Sequence, residues 1–248
     1  MAIESHQPEI VEEDLWGRIC RDYFEGQHTS FITRRDDGLA ETNDLAPYFR
    51  TELPETEVKA LEKARGHVLD VGCGPGPDVL WFQRRGVRVT GIDASAGAVE
   101  VAEKRGAHDV RVMSLWEIGR MGETFDTVLF MGNNMGLAGS LEKTGELLEL
   151  LRETTSDGAL LIGHTVDPTA TTNPSHLAYH RQNEAAGRYR GQVRLRKEYE
   201  GRVSPWWDLV FFERDVLVPL CERHGWRCRE VIPWGASYFL IAEKATRP

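Results

Sequence analysis

His67-Val68-Leu69-Asp70-Val71-Gly72-Cys73-Gly74-Pro75-Gly76-Pro77-Asp78-Val79-Leu80-Trp81-Phe82 is the stretch whose reading decides the fold. Residues 68–71 are an apolar run of strand length, broken only by Asp70. Glycines follow at alternate positions, 72, 74 and 76, and suit a tight turn where a ligand lies against bare backbone. Pro77 fits a first helical position, because its missing N–H would be unpaired there in any case. Val79, Leu80 and Phe82 then give that helix an apolar face. A strand, a glycine turn and a helix N-terminus together mark a ligand site at the carboxyl edge of a parallel sheet.

The glycine spacing narrows the ligand. A dinucleotide fingerprint needs its third glycine at position 77, which is proline. The pattern Asp70-x-Gly72-x-Gly74-x-Gly76 instead resembles motif I of the class I S-adenosylmethionine (SAM)-dependent methyltransferases. The resemblance spans about residues 60–164 and 213–244. It implies an α/β, Rossmann-like fold with a seven-stranded, mostly parallel sheet that closes on a C-terminal antiparallel hairpin. It also implies SAM as cofactor, held by Asp70, Gly72, Cys73, Gly74 and Gly76. The next strand ends in Asp93, placed where an acid accepts hydrogen bonds from both ribose hydroxyls. Asp93-Ala94-Ser95 also opens a helix, so a capping role for Asp93 stands beside the ribose role, and Ala94 and Ser95 join the cofactor set.

Further along, the resemblance places a polar residue and an apolar neighbour against the adenine. Ser114 and Leu115 occupy that place, and the commoner aspartate is absent. Residues 125–130 read as the central strand. It ends in Met131 and Gly132, which the resemblance sets beside the methionine part of SAM. Asn133 and Asn134 follow as groups that could orient an acceptor, or as turn formers. They do not spell the tetrad of many nucleic-acid amino methyltransferases, so a nucleobase is not the expected substrate.

Composition agrees with one α/β domain with additions. The chain has 248 residues and 41% hydrophobic content, enough to bury a core, and no apolar run approaches a membrane span. The formal charge of −9 argues against a general nucleic-acid binder. The first six residues lack the basic and apolar blocks of a signal peptide, and the four cysteines show no metal-ligand spacing, so a cytoplasmic protein with reduced thiols and no metal is expected.

Two regions lie outside the resemblance. Residues 1–65 are expected to form a helical lid, with helices over 9–25 and 54–64 and a polar, broken stretch between. Residues 66–248 are expected to form the SAM-binding domain, with an insertion over 165–212 as the substrate wall. Within it, 175–187 reads as a helix carrying His176, Tyr179 and His180. Residues 189–212 read as a hairpin, at the sheet edge, that includes Trp207. Arg190, Arg194, Arg196 and Lys197 fit a solvated face of that hairpin. The acceptor set is therefore Asn133, Asn134, His176, Tyr179, His180 and Trp207.

Methyl transfer from a sulfonium needs alignment and exclusion of water rather than a metal. A neutral oxygen, nitrogen or carbon acceptor must also lose a proton. His164, just beyond the fifth strand, is the expected base, with His176 and His180 behind it. The expected activity is transfer to a small molecule. A SAM-binding cyclase or decarboxylase, or a noncatalytic SAM-binding subunit, are the alternatives at this point.

Overall fold

The computed structural model of the protein describes residues 10–246. The stretch read for targeting signals, 1–6, and the first residue of the expected 9–25 helix lie outside the described residues. The N-terminal segment supplies β1 (Ile10–Val11), α1 (Leu15–Phe24), β2 (Ser30–Arg35), β3 (Ala40–Asp44), α2 (Ala46–Phe49) and α3 (Glu55–Leu61). Strands and helices then alternate through β4 (Val68–Val71), α4 (Pro77–Gln83), β5 (Val89–Asp93), α5 (Ala96–Lys104), β6 (Val110–Val112), β7 (Phe125–Phe130), α6 (Leu141–Glu153) and β8 (Thr155–Val166). The insertion contributes α7 (Pro174–Ala185), β9 (Gln192–Tyr199), β10 (Arg202–Val203) and β11 (Trp207–Val210). The chain ends on α8 (Arg214–Arg223), β12 (Trp226–Trp234) and β13 (Ser237–Lys244).

The main sheet has the order β12-β13-β8-β7-β4-β5-β6. Pairings from β6 through β8 are parallel, whereas β13 runs antiparallel to both β8 and β12. All four residues of β4 are buried, as a central strand covered on both faces requires. The chain leaves β4 toward β5 and β6 and then returns to its other side with β7. The carboxyl end of β4 is therefore the switch point, where an open α/β sheet forms a crevice. One face packs Leu147, Leu148 and Leu151 of α6 and Leu217 and Leu220 of α8 against Phe125, Val128 and Leu161. The other packs Val79 and Phe82 of α4 and Leu61 of α3 against Val68, Leu129 and Ile241. Full burial of each such side chain stabilises the fold by roughly 1.5–3 kcal/mol.

A second sheet was not expected. Its order is β1-β10-β9-β2-β3, with β11 on the free part of β9. The stretch between the two expected N-terminal helices is thus a β-hairpin, and the lid is a mixed α/β layer rather than a helical one. The hairpin of β9 and β11 is real, with Trp207 opposite Leu195, but it joins this separate sheet instead of extending the main one. Ile32 of β2 pairs with Glu198 of β9, so the N-terminal segment and the insertion build one structure. Its period-two alternation sets Phe31, Thr33 and Arg35 of β2 and Val193, Leu195 and Lys197 of β9 toward the cleft of the main sheet.

The helix α1 fixes this layer to the main domain. Asp14 caps α1 by accepting the Gly17 N–H at 3.0 Å. The same carboxylate accepts the Ser95 hydroxyl at 2.6 Å and the Gly97 N–H at 2.8 Å, at the N-terminus of α5. Gly17 and Gly97 face each other where the helices cross. A methyl added to Gly97 would lie 2.6 Å from the Gly17 Cα, so neither position has room for one.

Candidate active site

The turn after β4 is held by backbone and by one side-chain amide. The N–H groups of Gly72 and Cys73 both donate to the Ile92 carbonyl, at 2.8 and 3.0 Å. Asn134 donates through Nδ2 to the carbonyls of Val71 and Gly72, at 3.0 and 2.9 Å. Gly72 has φ +75° and lies so close to that amide that an added methyl would come within 2.5 Å of it. Gly74, at φ +52°, is open on its outer side, where Trp16 of α1 lies over it. The loop is therefore a bare cradle with an aromatic roof.

Asp93 closes the cradle. Its Oδ2 accepts the Gly74 N–H and its Oδ1 the Ser95 N–H, both at 2.8 Å. A carboxylate has about four lone-pair sites, so two remain for a ligand. Asp93, Ala94 and Ser95 all line the cavity, as do Gly72, Cys73 and Gly74. Gly76 does not; it packs against Ala102 of α5. Ser114, Leu115, Met131, Gly132, Asn133 and Asn134 also line it. The Ser114 hydroxyl is engaged as the cap of a short helical turn, accepting the Trp116 N–H at 3.4 Å. Trp116, the third residue of the stretch that the sequence sets against the adenine, lines the cavity beside it and is 44% exposed.

Beneath the cradle lies an unbalanced set of buried charges, of which Arg50, Glu57 and Asp78 line the cavity and Asp70 does not. Asp70 is 1% exposed, and its Oδ2 has no hydrogen-bond partner among the described residues. Burial, then the charges of Asp93 and Glu57, push its carboxyl up to about 7. Glu57 of α3 pairs with Arg50 at 2.9 Å, while Asp78 at the start of α4 is buried nearby. Burial holds both Glu57 and Asp78 above the usual carboxylate range. Arg50 Nε and Asp78 Oδ1 also lack partners among the described residues. Three buried carboxyls face one guanidinium, and the deficit is of positive charge.

His164 does not line the cavity. It is buried against Trp234 and Phe239, with ring centroids 5.4 and 5.0 Å away. Its Nδ1 accepts the Asn133 N–H at 3.1 Å, which leaves the proton on Nε2, and Nε2 has no partner among the described residues. Burial, and then Arg50, push its pKa down to about 4. Asn133 stands at φ +72° and accepts the Val166 N–H through Oδ1 at 2.8 Å. His164 therefore braces the turn that carries Asn133.

The roof and side wall bring together part of the expected acceptor set. His176, His180 and Trp207 line the cavity, whose volume is about 1540 Å³. Tyr179 does not; its hydroxyl donates to Asp36 at 2.7 Å and pins α7 to the turn between β2 and β3. His176 Nδ1 is 3.0 Å from the Thr171 hydroxyl, and its Nε2 is 3.6 Å from Glu41. His180 makes no side-chain hydrogen bond among the described residues, and burial lowers its pKa.

Comparison with known proteins bears on this geometry. Residues 68–158 match the family described as a methyltransferase domain. Residues 68–158 form a methyltransferase domain. The fold is similar to a solved SAM-dependent methyltransferase from Bacteroides fragilis in complex with S-adenosyl-L-homocysteine. The two share 24% identity and a TM-score of 0.81, over 97% of this chain and 98% of that one. It is also similar to the CcbJ methyltransferase of Streptomyces caelestis, at 12% identity and a TM-score of 0.59, over 81% and 96% of the two chains. A curated relative, the ubiquinone biosynthesis O-methyltransferase of Mesorhizobium japonicum, is 38% identical over 69 residues, which span 26% of this chain and only 28% of that protein.

SAM is the cofactor of this methyltransferase domain. The residues present fit it. SAM carries a sulfonium and an ammonium, matching the surplus of carboxyls that Glu57 and Asp78 bring to the cavity. It also carries one carboxylate, for which Arg50 has an unpartnered Nε. The glycine cradle and Asp93 offer the contacts that a ribose needs.

Proposed function

We propose that the protein transfers the methyl group of SAM to a small-molecule acceptor held between the motif I cleft and the second sheet. The observation that carries this reading is one continuous cavity, floored by Gly72, Cys73 and Asp93 and roofed by Trp16, Lys197 and Trp207. At about 1540 Å³ it exceeds the ~300–1,000 Å³ of an ordinary small-ligand site and leaves room for an acceptor beside the cofactor. The absence of a helix long and apolar enough to cross a membrane, among the described residues, fits an acceptor met in water.

When bound, SAM supplies an activated methyl on a positively charged sulfur. The chain's own residues then orient, enclose and deprotonate. Asp93 fixes the ribose, and Arg50 fixes the carboxylate of the methionine end, so that the reacting centre has one position. Orientation of this kind is worth up to ~7–11 kcal/mol in the best intramolecular cases. The turn of Asn133 and Asn134, braced by His164, shapes the wall beside the methyl group. Trp16 and Trp207 exclude water from above. The proton of a neutral acceptor passes to His180, which lines the cavity with its ring nitrogens uncommitted; His164, neutral and walled off, takes no part in proton transfer.

The decisive experiment pairs Asp93→Asn with the wild type. Titration calorimetry with S-adenosylhomocysteine should show wild-type binding. In the variant, the loss of charge-assisted acceptance, about 1.5–3 kcal/mol, should weaken binding at least tenfold, with the circular dichroism spectrum unchanged. Unchanged affinity in the folded variant would remove Asp93 from the site. Formation of S-adenosylhomocysteine from SAM with candidate acceptors then separates methyl transfer from a purely binding role.

A further inference from the structure

Three cationic side chains line the cavity: Arg35, Arg50 and Lys197. Two are already paired, Arg35 with Asp37 at 2.7 Å and Arg50 with Glu57 at 2.9 Å. Lys197 has no acid within ion-pair distance among the described residues. It comes from β9, the central strand of the roof, and is held by aromatic faces instead. Its Nζ lies 4.0 Å from the ring centroid of Trp207 and 5.1 Å from that of Trp16. Ring faces attract an ammonium but accept none of its three N–H bonds in the normal way. Asp93 is the acid that acts on Lys197 at longer range, and both its oxygens already accept backbone N–H groups. Burial lowers the ammonium to about 8, so it remains charged at neutral pH while poorly solvated.

An ammonium in that setting lacks acceptors, and the open side is the cavity. We propose that Lys197 binds a carboxylate carried by the methyl acceptor, with Trp16 and Trp207 gripping the apolar body beside it. A single negative charge is favoured over a dianion, because Asp93 and Asp208 also line this part of the cavity. This inference rests on the methyltransferase reading and adds to it the class of acceptor.

The test uses the full chain saturated with S-adenosylhomocysteine, and benzoate as the probe, with benzamide as its uncharged counterpart. Binding is read from the indole N–H resonances of Trp16 and Trp207, assigned through single Phe substitutions. Benzoate is expected to shift both resonances and to bind at least tenfold more tightly than benzamide. Lys197→Met, which keeps the apolar stem, is expected to remove that preference, and Lys197→Arg to keep it. Equal binding of the two probes, or benzoate binding that survives Lys197→Met, overturns the proposal. So does the absence of any shift at the two indoles. Comparison of the two probes on the wild type decides the matter even if a variant fails to fold. Failure of S-adenosylhomocysteine itself to bind would count against the underlying methyltransferase reading, and the two failures are thereby distinct.

Discussion

Replacing Gly97 by alanine should separate the roof from the cofactor domain. The added methyl would lie 2.6 Å from the Gly17 Cα and 2.9 Å from the Gly17 carbonyl carbon, both backbone atoms that cannot rotate away. Ordinary contact begins near 3.4 Å, so α1 and α5 must part by about 0.8 Å. Overpacking of this kind costs roughly 1–3 kcal/mol. The better helix propensity of alanine returns at most ~1 kcal/mol. Parting also stretches the bonds that Asp14 accepts from Ser95 and Gly97, each worth about 0.5–1.5 kcal/mol. The net expectation is a loss of about 2 kcal/mol, or roughly 4–8 °C in Tm for a chain of this size. Because Ser95 also donates to Asp93, affinity for S-adenosylhomocysteine should fall as well. Thermal unfolding and titration calorimetry read the two effects. Gly17→Ala disrupts the same contact, so the double variant should lose clearly less than the sum of the singles. An unchanged Tm and affinity in Gly97→Ala would refute the close-packed crossing and with it the coupling of roof to site.

The remaining expectations concern protons. Asp70 is raised to about 7 by burial and by Asp93 and Glu57; Asp78 and Arg50 complete the charged groups about that floor. A folded carboxyl pKa above its unfolded value of about 3.9 means that its contribution to stability is complete below pH ~4 and is lost as pH rises through 7. The ligand-free protein should therefore lose stability from pH 5 to 8, less so in Asp70→Asn. SAM, which brings positive charge, should bind more tightly over the same rise, as calorimetry across pH would show. His180→Asn should slow transfer to a neutral acceptor by ~10²–10⁴-fold and remove an ionisation from the pH–rate profile. His164→Asn should slow transfer without altering that profile, because an imidazole with a pKa near 4 does not titrate between pH 6 and 8.

The parts of the fold legible in the sequence are those specified locally. β4, the glycine turn and α4 are contiguous, and each residue choice agrees with its neighbours. The β12–β13 hairpin likewise declares itself through two strand patterns about a short turn. The hairpin of β2 and β3 does not. Its strands, Ser30–Arg35 and Ala40–Asp44, are polar and short, and they are stable because β9 pairs with β2 from far along the chain. That partner is invisible to a local reading, so the stretch looks like a broken loop. Asp14 has the same character: its capping role is a local signal, but its two donors on α5 are a tertiary accident of chain approach. The cradle around Gly72 and Asp93 was legible because turn and strand end place its residues at the cavity without help. His164 was misjudged because strand position gives the register but not the neighbours, and here Trp234 and Phe239 from the final hairpin enclose the ring.

Lys197 shows why the roof matters chemically. As part of a basic, alternating run it reads as a solvated face, and for Arg194 that reading is fair, because Arg194 is exposed. Alternation along a strand, however, sends neighbouring residues to opposite faces. With Val193 and Leu195 turned to the cavity, Lys197 must follow them, two and four positions on. The roof strand carrying it is paired on one side with the N-terminal hairpin and on the other with β10 and β11, so neither chain segment makes the acceptor wall alone. Trp16 then joins the two ends of the site, since it lies over Gly74 of the cofactor cradle and also over the Lys197 ammonium. On the proposed function, a cofactor that orders the cradle also orders the Trp16 wall of the cavity above it. The expected outcome is that benzoate binds more tightly once S-adenosylhomocysteine is present, read from the Trp16 and Trp207 indole resonances; equal affinity with and without S-adenosylhomocysteine would show that one tryptophan against both ends does not couple them.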